Sequence, residues 1–158
     1  MCCLFGLIDY DHRLTGWQKG QVIRALAVES ESRGTDAAGI AYNSGGSLHI
    51  YKRPGPAHKL NLFIPEDAHV VMGHSRMTTQ GKAKYNRNNH PFVGNVPGTR
   101  FALAHNGVLY NDRTLRREKK LPKTNIETDS YVAVQLIEQQ GALTPASLKT
   151  MAEAVEGS

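Results

Sequence analysis

Cys2 directly follows the start methionine. A small residue in that place favours removal of the methionine, which leaves a thiol and a free α-amine on one residue. The thiolate is the useful nucleophile, and an α-amine with an ordinary pKa of about 7.7–8.0 takes and returns protons near neutrality. Nucleophile and base would then share one residue, an arrangement suited to acyl transfer. The competing reading is a small apolar residue that is simply buried. Three more clusters carry groups that such chemistry needs: Gly73-His74-Ser75-Arg76, His105-Asn106-Gly107 and Glu127-Thr128-Asp129-Ser130. An amino-acid substrate asks for a cation at its α-carboxylate, which Arg76 can offer bidentately, and for an anion at its α-amine, which Asp129 can offer. A developing oxyanion asks for donors; Asn106 has a side-chain amide, and Gly107 lets its backbone N–H come close. Each group also has a plainer reading: a surface ion pair for Arg76, a type I′ turn for Asn106-Gly107, a helix cap for Asp129.

These groups must be held by regular elements, and the pattern supplies them. Residues 2–8 read as a short buried strand closed by Asp9 and Asp11. On a strand, Cys2 and Cys3 point to opposite faces, so only one of them looks into a given pocket. Residues 17–32 have helical spacing, with Thr15 as the cap. Residues 39–42 and 47–52 read as a hairpin around Asn43-Ser44-Gly45-Gly46. Residues 69–76 form a strand that runs into polar residues, 78–89 an exposed loop, and 101–107 another strand. Helices are expected around 114–119, over 128–140 with Gly141 as the stop, and from Thr144-Pro145 to about Val155. Strands that come as a block with hairpin signals argue for an α+β layered domain.

The bulk properties narrow the function. The chain has 158 residues, 40% hydrophobic and 21% charged, enough for one domain with a proper core. No apolar run approaches a bilayer-spanning helix, and residues 2–8 are too short for a signal peptide. The net charge of +5 is a mild basic bias, densest over Arg113, Arg116, Arg117, Lys119, Lys120 and Lys123. Aromatic residues are not interleaved with these charges, so no nucleic-acid partner is expected. The two cysteines are adjacent, which disfavours a disulfide and fits a reducing cytoplasm. His69 and His74 are not at zinc spacing with any cysteine, so no metal site is expected, and the chemistry calls for no cofactor.

The motifs, taken in order, resemble the class II glutamine amidotransferases, the N-terminal-nucleophile family. Cys2-Cys3-Leu4-Phe5-Gly6 is similar to its opening, and Arg33-Gly34-Thr35-Asp36-Ala37-Ala38-Gly39 to its Arg-Gly-x-Asp segment. Gly73 through Gly81, Asn88 to Pro91, His105 to Gly107 and Thr128-Asp129-Ser130 follow in the family's order. The resemblance implies a four-layer αββα sandwich of two antiparallel sheets. It implies that Cys2 attacks the side-chain amide of glutamine to form a glutamyl thioester, with its α-amine shuttling the proton, giving glutamate and ammonia. Asn106 and Gly107 would form the oxyanion hole; Arg76, Thr79, Asp129 and His105 would bind substrate; Arg33 would shape the nucleophile's surroundings. Cys3 stands where the family usually has Gly, Met77 where an aromatic is common, and Tyr131 where an acid is usual. Residues 1–158 correspond to the amino-terminal part of the glutaminase domain, so an acceptor or synthase domain or subunit is expected elsewhere. Two alternatives stay open: an N-terminal-nucleophile amidase acting on another acyl amide, and a non-catalytic fragment that binds glutamine or a partner.

Overall fold

The computed structural model describes residues 2–158; the removal of Met1 lies outside them. The first sheet is built from β1 (Cys3–Ile8), β2 (Ala37–Ser44), β3 (Ser47–Pro54) and β4 (Val70–Arg76) in the order β1-β4-β2-β3, every pair antiparallel. The β2–β3 turn works because Gly45 and Gly46 both take positive φ, 56° and 73°, which only glycine adopts cheaply. α1 (Gly16–Ser30) starts at Thr15, whose hydroxyl accepts the Gln18 amide N–H while the Gln18 side chain accepts the Thr15 N–H. Ile23 and Ala27 of α1 bury against Ala38, Ile40 and Val71 of the sheet, and Phe5 and Leu7 of β1 pack beside them.

The second sheet holds β5 (Phe92–Val96) and β6 (Thr99–Leu103), antiparallel. β6 meets β3 of the first sheet, and α3 (Tyr131–Gln140) covers β5 from the other side. Val134 and Ile137 pack there on Phe92, Val96 and Phe101. α2 (Asp112–Glu118) adds Leu115 to a further cluster with Val132 and Leu136, and α4 (Pro145–Ala154) contributes Met151. Helix, sheet, sheet, helix is the four-layer α+β sandwich that the motifs imply. Gly141, at φ 72°, ends α3 in the left-handed conformation, and Thr144 with Pro145 opens α4 through a capping box with Ser147.

One strand end and one strand stand out against the sequence reading. The strand expected over 101–107 stops at Leu103, leaving His105 to Gly107 in a loop. Its partner β5 was not expected, because Gly94, Asn95 and Pro97 dilute the alternation. Those residues are what the hairpin uses. Gly98, at φ 73° after Pro97, makes the turn, and Gly94 has no side chain where the ring of Phe101 lies.

Candidate active site

β4 positions the site. Its register pairs Cys3 with Ser75 and Leu4 with His74. Continuing that register by one residue sets Cys2 beside Arg76, on the face that carries His74 and not on the α1 face, where Ser75 bonds Ser30 at 2.5 Å. The Cys2 Sγ lies 3.4 Å from both the N and the O of Met77, so the backbone just past β4 holds the sulfur. Cys3 is turned away, its Sγ 3.6 Å from the Leu4 carbonyl. The alternation expected from sequence therefore separates the two thiols.

Arg76 is 2% exposed and is held by neutral acceptors. It donates to Asn89 Oδ1 at 2.6 Å, to the Gly81 carbonyl at 3.1 Å, to Thr128 Oγ1 at 3.3 Å, and through a short bond to the Gln80 carbonyl. Burial pushes its guanidinium below the ordinary arginine value, opposed in decreasing order by Cys2, Asp36, Asp129 and Glu127. The sulfur and the Asp129 carboxylate are thus both within electrostatic reach of one guanidinium. Asp129 is 1% exposed, and its Oδ2 accepts the Leu109 amide N–H at 2.7 Å. The structure does not make it a cap of α3; it ties the strand-end segment after Gly107 to the start of that helix.

His105 accepts from or donates to Ser130 Oγ through Nδ1 at 2.9 Å, and its carbonyl lies 3.2 Å from His74 Nε2. His74 thereby fixes the peptide that leads into Asn106. Neither Asn106 nor Gly107 has positive φ, so the pair is not a type I′ turn. Asn106 is exposed, and Gly107 lies under the Ser158 backbone, where a side chain would collide. There Glu156 to Ser158 run antiparallel to Val108 to Tyr110, with Tyr110 N donating to Glu156 O at 2.7 Å. Thr79 is exposed on the loop after β4. Arg33 is exposed at the end of the 3₁₀ turn Glu31–Arg33. Its neighbour Gly34 is the tight position: a Cβ there would sit 2.5 Å from the Arg76–Met77 peptide. Asp36 completes that contact, accepting the Thr78 N–H at 2.7 Å and donating its own N–H to the Arg76 carbonyl at 3.0 Å.

Several residues given no role from sequence prove central to the geometry. Asn88 and Asn89 are fully buried. Asn88 donates to Glu127 Oε2 and accepts the Glu127 N–H, while Asn89 holds Arg76. Lys52 donates to the carbonyls of Asn89 and Pro91, and burial together with the nearby Arg76 lowers its pKa to about 8. His74 and His90 pack against each other with ring centroids 4.2 Å apart and planes tilted by 39°. Burial lowers His74 to about 4 and drives His90 well below the usual histidine range, so both are neutral. The signal for this cluster was the Asn and His content of a loop without periodicity, a polar run that has to be satisfied once buried.

The profile described as "Glutamine amidotransferases class-II" matches residues 11–156, and the chain belongs to that family. A glutamine–fructose-6-phosphate aminotransferase (isomerizing) of Bacillus thuringiensis subsp. konkukian is 36% identical over 145 residues, 89% of this chain and 22% of that protein. The enzyme of the same name from Staphylococcus epidermidis is 32% identical over 165 residues, covering all of this chain and 26% of that protein. The chain thus spans about a quarter of the length of these relatives. Among solved structures, the glutamine phosphoribosylpyrophosphate amidotransferase from B. subtilis, complexed with ADP and GMP, superposes with a TM-score of 0.73 at 22% identity, over 99% of this chain and 33% of that one. A structure titled as the allosteric regulatory enzyme of purine biosynthesis gives 0.76 at 22% identity, over 99% and 34%. At that identity the likeness establishes the fold. No helix among the described residues is long and apolar enough to cross a membrane.

Proposed function

We propose that this chain hydrolyses the side-chain amide of glutamine. The Cys2 thiolate attacks the amide carbon, a C–S bond forms, and the oxyanion is met by Asn106 and the Gly107 N–H. The α-amine of Cys2, having taken the thiol proton, returns it to the leaving nitrogen, and ammonia departs. Water then cleaves the thioester to glutamate and frees the thiol. The observation that carries this reading is geometric: the Cys2 sulfur sits on the backbone of Met77, next to the buried Arg76, and Arg76 donates to Thr128, the residue before Asp129. A substrate carboxylate would take over guanidinium N–H groups now bonded to the Gln80 and Gly81 carbonyls. Residues 77–82 therefore form the loop that moves when glutamine binds, carrying Thr79 with them. Asp129 receives the α-ammonium, His105 supports the pocket beside it, and Arg33 shapes the rim.

Residues 1–158 act in this reading as the amino-terminal part of a glutaminase unit that passes ammonia to a synthase unit, fused or separate, in a reducing cytoplasm. The greater length of the relatives supports such a unit. These relatives share one name, and the chain covers only about a quarter of their length, so the acceptor is read from that unit and not from this one.

The test is ammonia release from glutamine by protein whose mass shows loss of Met1. Cys2→Ala is expected to abolish it, while Cys3→Ala retains it; turnover by Cys2→Ala sinks the mechanism. Labelling with a glutamine-analogue electrophile should modify Cys2 alone. Faster turnover of another acyl amide would favour the broader amidase, and no adduct on trimmed protein a binding role.

A further inference from the structure

A second site lies away from Cys2, in a groove of about 950 Å³ between α2 and residues 121–127. Its lining brings together five cations, Arg87, Arg113, Arg116, Arg117 and Lys123, and one acid, Glu127. The acid is already engaged, its Oε2 accepting from Lys82 N at 3.1 Å and Asn88 Nδ2 at 2.8 Å. Arg116 is anchored by Gln135 Oε1 at 2.6 Å, and Arg87 by the Asn125 carbonyl at 2.9 Å and the ring of Tyr85. Among the described residues Arg113, Arg117 and Lys123 have no side-chain partner, although they crowd like charge into one concavity. Asp112 Oδ2 lies 3.9 Å from Arg116 Nε and the Glu127 charge is felt by Arg87, so two acids offset five cations. Like charges gathered with too few counter-ions cost stability, and a surface chosen only for solubility would disperse them.

We propose that this groove binds a small molecule carrying two or more phosphates. Four of its five cations are arginines, whose planar forks match phosphate oxygens two at a time. Its volume falls in the range of small-ligand sites. No aromatic residue lines the groove to stack a nucleobase, and Tyr85 beside it already carries Lys84 and Arg87 on its ring. The groove also touches the loop that covers Arg76. Arg87 lies on the 3₁₀ turn Asn86–Asn88 just after that loop and bonds Asn125, while Glu127 bonds Lys82 and Asn88 and accepts from Gln80 Nε2 at 3.0 Å. A phosphate ligand drawing on Arg87 and residues 124–127 therefore changes how readily residues 77–82 open. Binding stands on the groove alone; the effect on glutamine rests on the function proposed above.

The experiment is calorimetric titration of the full chain with inorganic tripolyphosphate at constant ionic strength, with sulfate as the control. Saturable binding that Arg113→Ala/Arg117→Ala weakens at least about tenfold is expected. The pair Arg113→Lys/Arg117→Lys, which keeps the charge, should retain part of the affinity. These side chains are exposed, and unchanged thermal midpoints check that the variants fold. Equal affinity in wild type and the alanine pair, or binding no tighter than sulfate, overturns the site. A single-stranded oligonucleotide that binds more tightly than tripolyphosphate and loses as much in the alanine pair overturns the ligand class. A tripolyphosphate-dependent change in KM for glutamine, absent in the alanine pair, supports the coupling; an unchanged KM in wild type overturns it. Tripolyphosphate binding by a chain that releases no ammonia would leave the groove standing and the glutaminase reading fallen.

Discussion

Two buried cations sit at opposite ends of the first sheet and are treated differently. Lys19 is fully buried, and its Nζ lies 3.2 Å from Asp9 Oδ2 and 2.6 Å from the Glu66 carbonyl. Asp9 in turn accepts the N–H groups of Arg13 and Leu14. That charge is neutralised within the protein, and it joins β1 and α1 to the loop before β4. Arg76 is equally buried, yet none of the ion pairs among the described residues includes it. Its bonds go to an amide, a hydroxyl and carbonyls, and the carboxylates around it act only at a distance. A buried cation without a contacting anion is costly unless something repays it. Under the function proposed above, the contrast separates a structural end of the sheet from the end that would receive the substrate carboxylate.

The comparison is tested most strongly at its structural end. Lys19→Met leaves Asp9 unpaired and is expected to cost about 3–5 kcal/mol by chemical denaturation. Turnover per folded molecule should be unchanged. Lys19→Met with Asp9→Leu should recover part of the loss, and a fall in turnover without a fall in stability would erase the distinction. At the other end, Arg76→Met should lower kcat/KM for glutamine about 100-fold, the effect of losing a charge-assisted pair worth about 1.5–3 kcal/mol. Arg76→Lys should recover little, because an ammonium cannot replace the fork. Unaltered kinetics in Arg76→Met would make it a structural cation like Lys19.

The last effect is in pH. Burial lowers His74 to about 4 from the ordinary 6.5 of the unfolded chain, and shifts His90 in the same direction. Below 6.5 the unfolded chain binds more protons, so stability is complete above that pH and declines as pH falls toward 4. The slope is about 1.4 kcal/mol per pH unit for each histidine at most. Thermal midpoints measured from pH 7 to 4.5 should fall, and His74→Gln should flatten the curve. An unchanged curve would mean that His74 is not held neutral behind Arg76.

Much of this could be read from the chain. Thr15, Gly141 and Thr144-Pro145 set helix ends through local hydrogen bonds and backbone freedom, so they needed no tertiary information. The period-two rule alone put Cys2 and Cys3 on opposite faces. The β5 strand was hidden because Gly94 and Pro97-Gly98 serve a cross-strand ring and a turn, roles visible only with β6 alongside. Lys52, Asn88 and Asn89 were hidden for the same kind of reason. Their partners lie far along the chain, at Pro91, Glu127 and Arg76.

The sequence by itself determined which groups exist: a cysteine next to the start, a basic and an acidic residue suited to a free amino acid, and the elements that carry them. Local spacing is enough for that, since caps, turns and strand alternation act within a few residues. Only the tertiary structure decided that Arg76 goes into the interior without a contacting carboxylate, that His74 braces the His105 carbonyl, and that the Arg-rich segment folds into a groove instead of a flat helix face. Those outcomes depend on burial and on long-range hydrogen bonds. Both follow from how the layers close over one another, which no short stretch of chain encodes.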